Sequence, residues 1–237
     1  LPEGTPNYFL INIQPDEVDR LRVFLEERAT LSAELYPMIR GRLNAINDKT
    51  ISARDYEDQR AQRLVTREFN LSIAENIQFD NELVAGLWWS ASETEALFSV
   101  EEGIAETLGI ELNDILRYSI GGREVSGRVA NLRSVEWDSF KVNFFVSANP
   151  GTLDDFPATF ITSFFLEKND RQLLNELIKS FPSVTVFDIE NVDGVVVCVA
   201  TPQRDDGTCN TDNVRDVFDK YRGTKFLIKS AVDPVWL

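Results

Sequence analysis

The residues of this chain that come nearest to a reaction centre lie in Val199-Ala-Thr-Pro-Gln-Arg-Asp-Asp-Gly-Thr-Cys-Asn210. Thr201-Pro202, the acids Asp205-Asp206, Gly207 and Cys209 follow one another as in a loop of a nucleotide-using enzyme. The cysteines do not support a nucleophile. Cys198 falls in a buried-strand pattern, and Cys209 has no basic neighbour to lower its pKa. Paired carboxylates occur at Glu101-Glu102, Asp154-Asp155 and Asp205-Asp206. Adjacent acids point to opposite faces of a strand and lie far apart round a helix axis, which is poor geometry for two-carboxylate acid–base work. Solvated turns and helix starts account for them. A chain without histidine lacks the commonest general base, the Ser-His pair and the usual zinc ligand. No Gly-rich phosphate loop with a following Lys is present. The expectation is no catalytic residue, no metal site and no cofactor.

Trp88-Trp89 carry a different chemistry. As an exposed aromatic platform they would receive a lipid-like or peptide substrate or a partner. The plainer arrangement packs one of them in the core and lays the other over a junction between lobes, as large aromatics mostly bury. Trp137, Phe140, Phe144 and Phe145 pose the same choice, and strand alternation would bury some and expose others.

Charge narrows the partners. Lys and Arg number 24 against 39 Asp and Glu, a formal charge of -15. Such a surface repels phosphate backbones and anionic lipid, so nucleic acid is excluded as a partner. The body before Cys198 is thiol-free and holds no disulfide. No run approaches the roughly 18 apolar residues that span a bilayer. The chain opens at Leu1 without a signal peptide and stops at Asp233-Pro-Val-Trp-Leu237, and both ends read as cut from a longer sequence.

The elements that must position these residues come from periodicity. Tyr8–Ile13 is an apolar strand run; Pro15 then fits a first helical position, with Asp16 and Glu17 in the first turn. Val18, Leu21, Val23, Phe24 and Leu25 form a helix face, and a strand follows at Tyr36–Ile46. The unit returns later: a strand over Thr159–Leu166, a turn at Lys168-Asn169-Asp170 with Asn169 or Asp170 as N-cap, a helix stripe of Leu173, Leu174, Leu177 and Ile178, and a strand over Val184–Ile189. Each unit has a helix on one face and needs a partner, so pairing them gives a ferredoxin-like sheet with two helices. The fold class expected is α+β, with lobe segments 6–46 and 157–191 flanking an inserted β-rich lobe, 47–156. Within the insertion, Ile51–Ala74 is ambiguous, Thr94–Ile110 reads as strand then short helix ending near Gly109, and Asp114–Ala148 reads as antiparallel strands with turns at Gly121-Gly122 and Asp138-Ser139.

Several stretches together resemble a known family. They are Glu102-Gly-Ile-Ala-Glu-Thr-Leu-Gly109, Asn113-Asp-Ile-Leu-Arg-Tyr-Ser-Ile-Gly-Gly122, Leu132-Arg-Ser-Val-Glu-Trp-Asp-Ser-Phe-Lys-Val-Asn-Phe-Phe145 and Pro157-Ala-Thr-Phe-Ile-Thr-Ser-Phe164. Arg67–Ser72 and Ala85–Trp89 also fit. The region from about 6 to 191 resembles the extracytoplasmic, MacB-type periplasmic domain of FtsX/MacB-family ABC transporter permeases, nearest to the YbbP-like subgroup. The resemblance implies a non-catalytic module on the periplasmic side of the inner membrane. It would be anchored by membrane helices in the full-length protein, with an ABC ATPase subunit acting across the membrane. Such a module couples helix motion to a periplasmic protein or lipid-like substrate.

The tail, 192–237, differs in character. Val195–Ala200 and Lys225–Ala231 read as buried strands with a helix over Asp212–Tyr221 between them, a parallel βαβ pattern. It resembles part of the NAD-binding domain of UDP-glucose/GDP-mannose dehydrogenases through Thr201-Pro202, Gly207, Asp212, Val214 and Lys229-Ser230. In that family the Thr-Pro loop and the Ser matching Ser230 lie near the NAD. Ala231 stands where that family usually has Thr, and the Gly-x-Gly-x-x-Gly fingerprint and the catalytic Cys motif are missing. Two origins stay open: a joined segment of different origin, or strands that extend the sheet of the body. Neither implies dehydrogenase activity. The alternatives to the permease reading are a fragment of an NAD-dependent nucleotide-sugar dehydrogenase and a soluble binding module.

Overall fold

The computed structural model describes residues 5–29, 33–167, 171–188, 195–199 and 226–230. The chain is a mixed α/β protein. Its opening unit is strand β1 (Tyr8–Ile13), helix α1 (Val18–Ala29) and strand β2 (Tyr36–Ile46). A short 3-10 turn at Pro15–Glu17 leads into α1, where Glu17 reaches back to accept from the Gln14 backbone N–H at 3.0 Å. That reciprocal cap satisfies a donor the helix start would otherwise leave open. Then come β3 (Lys49–Thr50), α2 (Gln59–Thr66), β4 (Phe69–Ile73), β5 (Asn81–Gly86), β6 (Leu97–Glu101) and α3 (Glu102–Leu108). The order closes with β7 (Ile115–Ile120), β8 (Arg123–Val135), β9 (Val146–Ala148), β10 (Thr159–Phe164), α4 (Arg171–Ser180), β11 (Thr185–Asp188), β12 (Val195–Val199) and β13 (Phe226–Ser230).

The first and last units of the body are neighbours. The strand order is β11-β1-β10-β2, and every pairing in it is antiparallel. Leu10 and Ile13 of the sheet, Leu21 and Leu25 of α1 and Leu177 of α4 are all buried in one cluster with Phe181. Phe24 meets Phe181 edge-on at 5.7 Å between ring centres. Two expected members of the helix faces point outward instead: Val23 and Ile178 are exposed. Helical spacing puts Val23 opposite the stripe of Val18, Leu21, Phe24 and Leu25, and Ile178 at the margin of the stripe of Leu173, Leu174 and Leu177. The expected turn at 168–170 lies outside the described residues.

The intervening strands do more than form a lobe of hairpins. β2 pairs with β4, β4 with β9, β9 with β6, β6 with β8, β8 with β7, and β7 again with β2, so six strands close into a barrel. Closure leaves these strands no free edge. Leu43, Leu71, Phe98, Val100, Tyr118 and Val129 are among the buried side chains that pack its core. The antiparallel pairing expected within 114–148 is seen between β7 and β8, while β6–β8 and β4–β9, each with one strand from outside that stretch, pair in parallel. Of the expected strand Lys141–Ala148, only Val146–Ala148 is strand. The preceding residues are instead held across the outside of the barrel by side-chain bonds described below.

β2 serves both hydrogen-bonded systems. Tyr36–Met38 pair with β10, Ile39–Gly41 with β4, and Arg42–Ile46 with β7. Gly41 sits where the strand changes partners. A Cβ there would lie 2.9 Å from Leu71 Cδ1 and 3.0 Å from Ile120 Cγ1, so the closeness of β4 and β7 admits only glycine without displacement. β12 and β13 pair in parallel as a separate two-stranded sheet, and the expected helix between them lies outside the described residues.

Candidate functional site

The side chains of interest converge where β5, β6 and β8 line the barrel wall. A bulge arranges them. Phe98 pairs with Val129, but Ser99 pairs with Asn131, so Ala130 is skipped in the register. One extra residue reverses the alternation. Val129 packs in the barrel core, whereas Asn131 and Arg133, which simple alternation would place beside it, sit in a second, polar layer.

That layer is buried and bonded. Ser99 Oγ donates to Asn131 Oδ1 at 2.5 Å, and Asn131 Nδ2 donates to the Leu87 carbonyl at 3.2 Å. Arg133, 2% exposed, donates from Nη2 to the Phe144 carbonyl at 2.6 Å and to Ser147 Oγ at 3.3 Å. Burial lowers its pKa to about 10, while the charges of Glu101 and Asp80 oppose that fall. Glu101 also caps α3, accepting from the Ile104 N–H at 2.8 Å. Asp80 accepts from Asn81 Nδ2, Ser139 Oγ and Asn143 Nδ2 at 3.1, 2.8 and 2.8 Å. These bonds lay residues 136–145 across the outer face of the barrel.

Trp88 and Trp89 lie beside this layer. Their rings are 4.2 Å apart between centres and tilted by 35°. Trp89 Nε1 donates to the Ala74 carbonyl and Trp88 Nε1 to the Glu75 carbonyl, each at 2.9 Å. The pair thus fastens the chain after β5 to the end of β4. Trp89 is buried and Trp88 half-buried. Phe144 is buried, with Trp137, Phe140 and Phe145 half-buried.

The remaining candidates are scattered. Glu101 is buried at a helix cap, and burial followed by the neighbouring carboxylates of Glu101 and Glu106 raises the pKa of Glu102. Asp154 and Asp155 lie exposed in a turn. Cys198 and Ser230 stand on β12 and β13, while Thr201, Pro202, Asp205, Asp206 and Cys209 lie outside the described residues. Among the described residues no cluster of His, Cys, Asp or Glu has metal-binding geometry, and no helix is long and apolar enough to cross a membrane.

Sequence reading missed Asp80, Asn143 and Arg133. Arg133 carried a signal, a charged residue in phase with buried apolar positions of a strand, but the bulge that explains it is tertiary. It also missed β5, whose outward residues Leu83 and Val84, with Phe79 and Leu87 beside them, are exposed apolar groups.

No family model matches the chain. Over 189 residues it is 35% identical to the "Uncharacterized ABC transporter permease YbbP" of Escherichia coli strain K12. The chain is related to part of an ABC transporter permease. The match takes in 80% of this chain but 22% of that permease, so the chain spans well under half of its relative's length.

Proposed function

We propose that this chain is a non-catalytic extracytoplasmic domain of an FtsX/MacB-type permease, set on the periplasmic side of the inner membrane. The segments 6–46 and 157–191 form its ferredoxin-like lobe, 47–156 its inserted lobe, and 192–237 a tail of different origin. Membrane helices in the full-length protein anchor it, and an ABC ATPase subunit drives those helices from the other side. The domain passes their motion to a periplasmic protein or a lipid-like substrate, with the half-buried Trp88 as part of the contact surface and the buried Trp89 packed against it.

One observation carries this reading: β2 is hydrogen-bonded along its length first to β10 and then to β4 and β7. A displacement applied to the sheet of β1, β10 and β11 is carried into the barrel by a continuous ladder of backbone bonds rather than a loose linker. The barrel suits a transmitter because its interior is filled by its own side chains, which sends any cargo to its outer surface.

The test is topology in the full-length gene product. An alkaline phosphatase inserted at Gly121-Gly122, a hairpin turn, should be active, because that enzyme matures only outside the cytoplasm. Activity of a cytoplasmic reporter at the same point, or flanking DNA without hydrophobic spans, would sink the proposal. The parallel pairing of β12 with β13 sustains one second reading, a nucleotide-sugar dehydrogenase fragment. Reduction of NAD with UDP-glucose or GDP-mannose above background would favour it.

A further inference from the structure

β5 is the last strand in its sheet order and, among the described residues, bonds to β8 alone. It is bare on more than its edge. Leu83 and Val84 are 39% and 54% exposed, and Val84 is an extra residue, skipped in the register between the Leu83–Arg133 and Ala85–Leu132 pairs. Phe79 just before the strand and Leu87 just after it are 77% and 80% exposed. Native edges are blunted by charge, proline or a bulge; Asn81–Gly86 has a single charged residue, Glu82, and no proline, and its one such device is the bulge at Val84.

We propose that β5 is a strand-addition site for an extended, basic segment of a partner protein. An added strand supplies backbone partners along the edge on either side of the Val84 bulge, and its alternating side chains reach both faces. A bilayer or a docked helix would cover one face and leave the edge unbonded. Charge selects among strands. Glu82 lies on β5, Glu75 lies under Trp88, and Glu93 lies in the turn beyond Trp89; none of them is in an ion pair among the described residues. Lys141 is turned onto the Phe79 ring, its Nζ 3.3 Å from the ring centre. A second copy of the chain would bring another formal charge of -15 and set its own Glu82 against this one. A segment that alternates apolar and basic residues meets the exposed side chains with the former and the carboxylates with the latter.

This deepens the transmitter reading by naming the chemistry of its protein partner, but its test does not depend on membrane topology. Failure here leaves the reporter result standing, and failure there leaves this site standing. Isotope-labelled chain is titrated with a short peptide alternating Val and Lys, with its Glu-for-Lys counterpart, and with the Lys peptide N-methylated along one edge. Amide shifts should gather in residues 79–88 and in the paired part of β8. The Glu peptide should bind at least about tenfold more weakly, as like charge opposes it, and N-methylation should abolish binding. Val84→Ser and Leu87→Ser alter exposed positions; each should weaken binding while leaving the circular dichroism spectrum unchanged. Shifts elsewhere, indifference to peptide charge or to N-methylation, or no binding at millimolar peptide would overturn the proposal. So would a concentration-dependent dimer with β5 at its interface, which would make the second copy the occupant.

Discussion

Asn143 donates from Nδ2 to Asp80 Oδ2 at 2.8 Å and accepts at Oδ1 from Asn81 Nδ2, also at 2.8 Å. The two residues are 63 apart in sequence. Their bond ties the turn before β5 to the segment that crosses the barrel before β9. The carboxylate of Asp80 is buried and holds Ser139 as well.

Asp80→Ala should therefore be among the more damaging polar substitutions. It takes one bond each from Asn81, Ser139 and Asn143, leaving the Asn81 side chain only its bond to Asn143, and we expect a loss of about 2–3 kcal/mol. Urea unfolding would show it as a lower midpoint. Asn143→Ala, which leaves Ser139 bonded to Asp80, should lose less. Equal losses would mean that Asp80 holds the segment through Asn143 alone.

Arg133 is expected to matter through the carboxylates near it. Arg133→Met keeps much of the volume but removes the positive charge that Glu101 and Asp80 feel. Leaving those buried acids uncompensated should lower stability by roughly 3 kcal/mol. Adding Glu101→Gln keeps a helix-capping oxygen and removes one charge, so the double variant should recover part of the loss. A double-mutant cycle measures this coupling, and strict additivity would show that Arg133 does not act through Glu101.

Tyr118 offers a substitution in the stabilising direction. Its hydroxyl is buried without a hydrogen-bond partner among the described residues. Tyr118→Phe removes that orphan group, and we expect a gain of about 1 kcal/mol at neutral pH. Burial also raises the Tyr118 pKa above the ordinary 10.0. The native state then holds this proton where the unfolded state releases it. Its contribution is complete below pH 10 and is lost as pH rises from there toward the folded value. The variant should show a shallower alkaline decline in unfolding midpoint than the parent chain. Parallel declines would place the alkaline sensitivity in other groups.

Gly86 ends β5 with a φ of +79°, a conformation that favours glycine. A Cβ there would fall 2.2 Å from the Ala130 carbonyl oxygen and 2.9 Å from Asn131 Cα. Gly86→Ala should disturb the β5–β8 register at the bulge, with a loss above about 2 kcal/mol. Amide exchange should quicken through 81–86 and spare the sheet of β1, β10 and β11. Uniform quickening would instead mean that β5 forms as one unit with the rest of the fold.

Local pattern alone determined the end units of the body. The strand runs Tyr8–Ile13 and Tyr36–Ile46 are observed with those bounds, and α3 stops at Gly109, whose φ is +68°. Such features are legible because a strand face, a helix stripe and a left-handed cap are written in residues a few positions apart. The barrel was not legible. β4 pairs with β9, and β6 with β8, across long stretches of chain, and nothing near β9's three residues marks them as a wall strand. Nor was β5, since Asn-Glu-Leu-Val-Ala-Gly shows no alternation for a strand whose faces are both exposed. The sequence singled out Trp88 and Trp89, but only the tertiary structure decided which is buried, because the carbonyls of Ala74 and Glu75 that hold them belong to the far end of β4. The same holds for Arg133. Alternation along β8 assigns it to the barrel core, and one extra residue at Ala130, set by pairing with β6, turns it out to Phe144, Ser147 and the buried acids.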